Sequence, residues 1–365
     1  MGLPRTAPAA YGTVMDSGEI PANACAHRPA DHPPVPDEKC AVLIVNLGTP
    51  DEATPQAVRR YLKEFLSDIR VVDLPRALWL PILHGVILNI RPAATARNYK
   101  KIWREESNES PLRYYTWAQA ETLQDALGDA VIVDWAMRYG NPSIEERMTA
   151  LVEAGATRIL IVPLYPQYSA TTTASVIDAV GAALANMRQQ PAIRTAPPFH
   201  DEPAYIAALA DIAAKRLDAL GWAPERVLIS FHGLPERYFL AGDPYHCHCA
   251  KTARLLREEM RWAEDFAPIT FQSRFGREKW LEPATEDVLI SLANEGVKRV
   301  AVITPGFVAD CVETLEEISI AAREVFLEHG GEAFETIPCL NDSPGMTNTL
   351  ETIVRREMSG WIAPR

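Results

Sequence analysis

A histidine stands where an apolar run turns. Arg226 to Tyr238 reads RVLISFHGLPERY, with a β-rich run from Val227 to Phe231 and a turn through Gly233 and Pro235 just after His232. Such a run, stopped by Gly and Pro, reads as a buried strand giving way to a loop. Ligands of open α/β sheets bind outside the carboxyl ends of the strands, where His232 would stand. A lone histidine there more often satisfies a local hydrogen bond, so its company decides. After a second β-rich run, Arg299 to Thr304, comes PGFVADCVETLEEI. Its Glu313 and Glu317 are four apart and share a face if both are helical. Glu313, near the helix start, is favoured by the helix dipole. Alone, this acidic turn reads as a solvated face. Beside His232, Glu313 becomes a partner for a divalent metal or a proton.

His246-Cys247-His248-Cys249 is a third group of ligand-type residues. Metal or iron–sulfur binding would draw on such side chains. Four neighbours cannot all reach one tetrahedral ion, and the spacing fits no common site. Reduced thiols and packed imidazoles are the favoured reading, with Cys247 and Cys249 as the ligands if a cluster exists. No G-x-G-x-x-G follows a strand, and neither G-x-x-x-x-G-K-[ST] nor G-x-S-x-G occurs, so nucleotide and serine-hydrolase chemistry lack their signatures.

These residues need a frame. The 365 residues, 47% hydrophobic and 23% charged, suffice for two α/β units with full cores. A net charge of −12 speaks against a nucleic-acid partner. The 6 scattered cysteines point to reduced thiols in the cytoplasm. Residues 1–38, rich in Pro and Ala, read as a disordered tail without a signal peptide's apolar core. Its opening fits a short myristoylation pattern that carries little weight. Strands are expected at 41–47, 130–137, 158–164, 226–231, 266–271, 299–304 and 334–337, with helices between them, which means parallel sheets flanked by helices. Thr54 with Pro55 marks one helix start, and Ser143 with Glu146 another.

An internal repeat sharpens this frame. LIVNLGTP (43–50) aligns with LISFHGLP (228–235), placing His232 opposite Leu47, and Gly155-Ala-Thr-Arg158 aligns with Gly296-Val-Lys-Arg299. The first half is longer between these landmarks by a greasy segment, VVDLPRALWLPILHGVILNI (71–90), and the helix after it. Broken by Pro75, Pro81 and Gly85, this segment reads as a core helix pair or an apolar lip over a ligand, too short to span a bilayer. Arg91, Arg97 and Lys100 could meet acidic groups of that ligand. The expected division is a first half over 39–190 with its lip at about 70–114, a second over 191–342, and a C-terminal helix within 343–365 packing back on the first half.

At this point the sequence resembles the ferrochelatase family. SFHGLPERY, GDPYHCHC, FQSRFGREKWLEP and PGFVADCVETLEEI carry the resemblance, with LIVNLGTP, RYGNPSI and LYPQYSATTT, from about Cys40 onward. The resemblance implies two Rossmann-like, chelatase-type halves with a porphyrin cleft between them, and insertion of ferrous iron into protoporphyrin IX to give protohaem with release of two protons. It matches the family's essential histidine to His232 and glutamate to Glu313, and its cleft residues to Arg138, Tyr139 and Trp280; Leu47, across the repeat from His232, joins the cleft wall. Asp310 and Glu317 are candidates for a proton or iron path. Cys311 stands where some relatives have histidine, and Ser319 where some have an acidic residue.

The chemistry suits these side chains. Two pyrrole protons must leave as the metal enters, and bending the macrocycle exposes its nitrogen lone pairs. Trp280, Tyr139 and the lip offer faces to grip the ring. His232 can accept protons while Glu313 and Glu317 handle iron, and the reverse assignment is equally open. Ferrous iron is substrate, and no further cofactor is required. A coproporphyrin or other divalent-metal chelatase is the alternative, a non-enzymatic porphyrin carrier a weaker one, and a lip-mediated protein-binding module a third. The lip could also touch the inner face of the cytoplasmic membrane; monomer and homodimer are both compatible with the sequence.

Overall fold

A computed structural model describes Asp31 and residues 38–362 except position 277. The expected tail, its myristoylation pattern and Cys25 therefore lie outside the described residues, apart from Asp31 and Glu38. The chain runs β1 (Lys39–Gly48), α1 (Pro55–Ser67), α2 (Arg76–Ile82), a π-helical turn (Leu83–Ile87), α3 (Leu88–Ile102), α4 (Pro111–Leu127), β2 (Ile132–Tyr139), α5 (Ile144–Glu153) and β3 (Ala156–Pro163). A second π-helical turn (Ala170–Ala174) then leads into α6 (Ser175–Ala185), β4 (Ala192–Thr195) and α7 (Pro203–Asp218). The rest comprises β5 (Arg226–His232), α8 (Glu236–Leu240), α9 (Tyr245–Met260), β6 (Ile269–Gln272), α10 (Thr285–Asn294), β7 (Arg299–Ile303), a π-helix (Glu313–Ala322), α11 (Arg323–Glu328), β8 (Ala333–Thr336) and α12 (Pro344–Glu357).

The repeat read from sequence is a repeat of topology. The two parallel sheets have orders β2-β1-β3-β4 and β6-β5-β7-β8. Thus β1 and β5 hold equivalent places, as do β3 and β7, as the aligned octets and the Gly–Arg quartets require. Strand alternation sorts each sheet's two faces. Val42, Ile44, Leu160 and Val162 share a core with Val227, Ile229, Ala301 and Ile303. The opposite face of the first sheet, through Ala41, Leu43 and Val45, buries against α5 and α6, and Leu228, Val300 and Val302 face α10 and α11. Near-continuous apolar strands are what sheets covered on both sides demand.

Local starts follow the expected chemistry. Thr54 Oγ1 accepts from Ala57 N at 3.3 Å with Pro55 at the first helical position. Ser143 Oγ accepts from Glu146 N at 3.2 Å. Three readings change. β4 was absent from the expected strands because it is a short, largely polar edge; it pairs with β3, so the first sheet extends past residue 190. α9 begins at Tyr245, ahead of the helix start expected at Ala250, so the His–Cys quartet is helical. The C-terminal helix α12 packs against α7 and α4; Arg194 Nη1 donates to Glu357 O at 2.6 Å, and Arg355 Nη2 to Ala126 O at 3.2 Å.

The third change concerns the lip. Instead of a broken pair, one helix runs Arg76–Ile102, long and apolar enough to cross a membrane by length and composition alone. Pro92 removes the N–H that would bond Leu88 O. Arg59 on α1 supplies the missing donor, its Nη1 bonding both Leu88 O and, at 2.8 Å, Asn89 Oδ1. The helix therefore continues through its proline. Leu83, Leu88, Ala96 and Tyr99 bury against α1, while Leu78, Ile82, Val86 and Ile90, four residues apart, form an exposed apolar stripe.

Candidate active site

β5 delivers His232 at its carboxyl end, in register with Gln272 of β6. The His232 ring nitrogen Nδ1 lies 2.6 Å from Gly233 O. A carbonyl only accepts, so the neutral ring carries its proton on Nδ1 and leaves the Nε2 lone pair unengaged by this bond. Gly233 is required here: a Cβ would lie 2.7 Å from Gln272 O and 3.1 Å from Trp280 Cε3. Trp280 is thereby placed beside the histidine, its buried Nε1 without a partner.

Glu313 opens the π-helix that follows β7. Gln272 fixes it: its Nε2 donates to Glu313 O at 2.8 Å, while its Oε1 accepts from Ser230 Oγ at 3.0 Å. Glu317 turns toward the same strand end, its Oε1 accepting from Ser273 N and its Oε2 from Ser273 Oγ, both at 2.6 Å. Burial pushes the Glu317 carboxyl up; the Ser273 bonds and nearby His232 oppose this, and Glu313 adds to it. Glu317 thus sits within the electrostatic reach of both candidate catalytic groups.

Asp310 is placed differently from Glu317. Its Oδ1 accepts from Thr314 Oγ1 at 3.0 Å and Cys339 N at 3.3 Å, and its Oδ2 from Asn341 Nδ2 at 2.7 Å. Both oxygens are engaged in locking the loop before the π-helix. Cys311 is buried, and burial pushes its thiol up. With Glu313 it lines a small cavity whose other wall is Leu47, Thr49, Tyr61 and Tyr99. Leu47 of the first half and Glu313 of the second thus line one cavity. The loop after β7 meets the first half directly as well: Gln167 Nε2, after β3, donates to Pro305 O at 3.2 Å, and Gln119 Nε2 of α4 to Val308 O at 3.2 Å.

Arg138 and Tyr139 end β2 in the first half. The close approach there depends on Gly48, at φ +114, where a Cβ would lie 1.8 Å from Tyr139 O. The Tyr139 ring is buried, edge-on to Phe65 at 5.1 Å, with the Arg138 guanidinium 4.4 Å over it. Its faces are thus committed to protein, and it supports the wall from behind. The lip is tied to the second half by Glu316, which accepts from Asn98 Nδ2 at 3.0 Å and Lys101 Nζ at 2.8 Å, and by Arg237, whose Nη1 lies 3.0 Å from Asp73 Oδ2. Arg91 stacks 4.4 Å over Phe275, while Arg97 and Lys100 are exposed.

On α9, Cys247 is exposed and Cys249 fully buried. Residues two apart on a helix leave it on nearly opposite sides. His246 packs on Phe271 at 5.8 Å, and His248 stacks on His200 at 3.7 Å with the rings 5° from parallel. Among the described residues no group of three His, Cys, Asp or Glu could hold a metal ion. Sequence reasoning passed over Gln272, Ser273 and Asp68. Gln272 and Ser273 stood only as part of FQSRFGREKWLEP, with no role attached to either, and Asp68 carried no local signal.

Residues 39–358 match the ferrochelatase family model. A ferrochelatase of Allorhizobium ampelinum is 55% identical over 92% of this chain and 98% of its own length. One from Rhizobium meliloti is 56% identical over 91% and 98%. SirB from Bacillus subtilis with Fe3+ superposes at TM-score 0.55 and 14% identity, over 88% of this chain and 98% of that one, a likeness of fold.

Proposed function

The chain belongs to the ferrochelatase family, and from that premise we propose that His232 and Glu313 are the groups around which it inserts ferrous iron into protoporphyrin IX. The enzyme is a haem-synthesising lyase: iron enters the macrocycle and two pyrrole protons leave. The observation that carries the assignment is the 2.6 Å contact of His232 Nδ1 with Gly233 O, which leaves Nε2 as the basic atom at the carboxyl end of β5. An imidazole so held presents Nε2 as the atom to take a pyrrole proton. Glu313, anchored through its main chain by Gln272, is left with its carboxylate to meet iron. Glu317, its carboxyl raised first by burial, receives protons passed on from the site.

The porphyrin lies in this reading between the Trp280 side and the lip, with Leu47 and Arg138 on the opposing wall and the buried Tyr139 backing it. The exposed stripe of Leu78, Ile82, Val86 and Ile90 supports peripheral contact of the lip with the inner face of the cytoplasmic membrane. That Cys247 is exposed and Cys249 buried on opposite sides of α9 supports reading them as separate thiols rather than a shared ligand pair. The test is iron insertion by the purified protein with protoporphyrin and coproporphyrin side by side. Turnover of protoporphyrin to protohaem is the expected result; turnover of coproporphyrin alone would overturn it.

A further inference from the structure

Asp68 lies between the end of α1 and the lip, outside every motif quoted above. Its Oδ2 accepts from Arg138 Nη2 at 2.7 Å, Tyr139 OH at 2.8 Å and Ser175 Oγ at 2.6 Å. Ser175 in turn accepts from Arg138 Nε at 2.7 Å on Oγ and at 2.9 Å on its carbonyl. The other carboxylate oxygen accepts from Arg70 N at 2.8 Å, and the Asp68 carbonyl from Val71 N and Val72 N at 3.1 and 3.0 Å. One residue thus starts the turn into the lip and gathers the polar groups of the β2 strand end.

The side chains of Arg138 and Asp68 are only 17% and 9% exposed. A guanidinium withdrawn this far from water is stable only when paired, and removing its partner leaves a charge seeking another anion. Protoporphyrin carries two carboxylates on an otherwise apolar ring. An unpaired Arg138 at the cleft wall would capture one of them and hold the ring off its productive position.

We propose that Asp68 is a positioning residue of the cleft, holding Arg138 and the Tyr139 hydroxyl against the wall so that Arg138 does not pair with the carboxylates of the porphyrin. The inference rests on the ferrochelatase reading of the cleft. Burial pushes the Asp68 carboxyl up, but the bonds from Ser175, Arg70 N and Tyr139 and the charge of Arg138 hold it below the ordinary carboxylate range. It is therefore the anion this pairing requires at neutral pH.

The test compares the wild-type protein with Asp68→Asn and Asp68→Glu. Iron insertion is measured alongside fluorescence titration of protoporphyrin and of its dimethyl ester, at low and high salt. Asp68→Asn should lower kcat at least tenfold and tighten protoporphyrin binding severalfold at low salt, an effect that salt and the ester both abolish. Asp68→Glu, which keeps the charge, should recover most of kcat. Unchanged kcat and affinity in a folded Asp68→Asn protein would overturn the proposal. So would a loss of kcat that follows the fall in Tm, with no charge-dependent change in porphyrin affinity. Failure of the wild type to insert iron would instead strike at the ferrochelatase reading, and the difference between the two porphyrins would then judge Asp68 by itself.

Discussion

Gln272 Nε2 donates to the main-chain oxygen of Glu313 at 2.8 Å, joining the end of β6 to the first residue of the π-helix. The same side chain receives Ser230 from β5, two residues before His232. One amide thus links the strand that carries His232 to the main chain of Glu313. Gln272→Glu keeps the shape and removes the donor, so it leaves Glu313 O without its partner in a buried setting. Stability should fall by about 1–3 kcal/mol, read as a lower urea midpoint, and kcat should fall with protoporphyrin affinity nearly kept. An unaltered kcat would show that Glu313 is positioned by something else.

The lip helix owes its continuity to a donor from another helix. Arg59→Met should leave Leu88 O unbonded and cost about 1–2 kcal/mol. Pro92→Ala restores an N–H to bond Leu88 O, so the loss on Arg59→Met should be much smaller in a Pro92→Ala background. Urea unfolding of the four proteins measures the coupling. Additive losses would mean that Arg59 acts elsewhere.

Much of this arrangement was legible in the sequence. Aligned octets at β1 and β5 gave the duplicated frame, because a buried parallel strand and its Gly/Pro turn impose a recognisable pattern. His232 was legible for the same reason. β4 was not, since an exposed edge strand needs little apolar character. Nor was the unbroken lip, because Pro81 and Gly85 break a helix by local rules yet lie inside this one, and Pro92 is bridged only by Arg59, far off in sequence. Asp68 was invisible as well: its partners lie 70, 71 and 107 residues away. Tyr139 was expected to offer a ring face, yet its ring is covered by Phe65 and Arg138.

Acid should loosen the stacked imidazoles of His200 and His248. Burial, then the neighbouring His248, bring the His200 pKa down to about 4, and burial lowers that of His248. A histidine depressed in the folded state binds its proton more readily when unfolded. The stability it contributes is present above the unfolded value of about 6.5 and is lost as pH falls from there toward 4. The loss should be on the order of 1 kcal/mol by pH 5, part of the ring being solvent-screened. His200→Gln, which does not titrate, should show a flatter dependence of urea midpoint on pH between 7 and 5. Equal slopes for the two proteins would contradict this.

The central claim, that His232 and Glu313 perform the insertion, is tested most directly by iron incorporation into bound protoporphyrin by His232→Ala and Glu313→Gln. Both variants should bind protoporphyrin with near wild-type affinity by fluorescence titration and form no measurable protohaem. Near-normal turnover in either one would contradict the account.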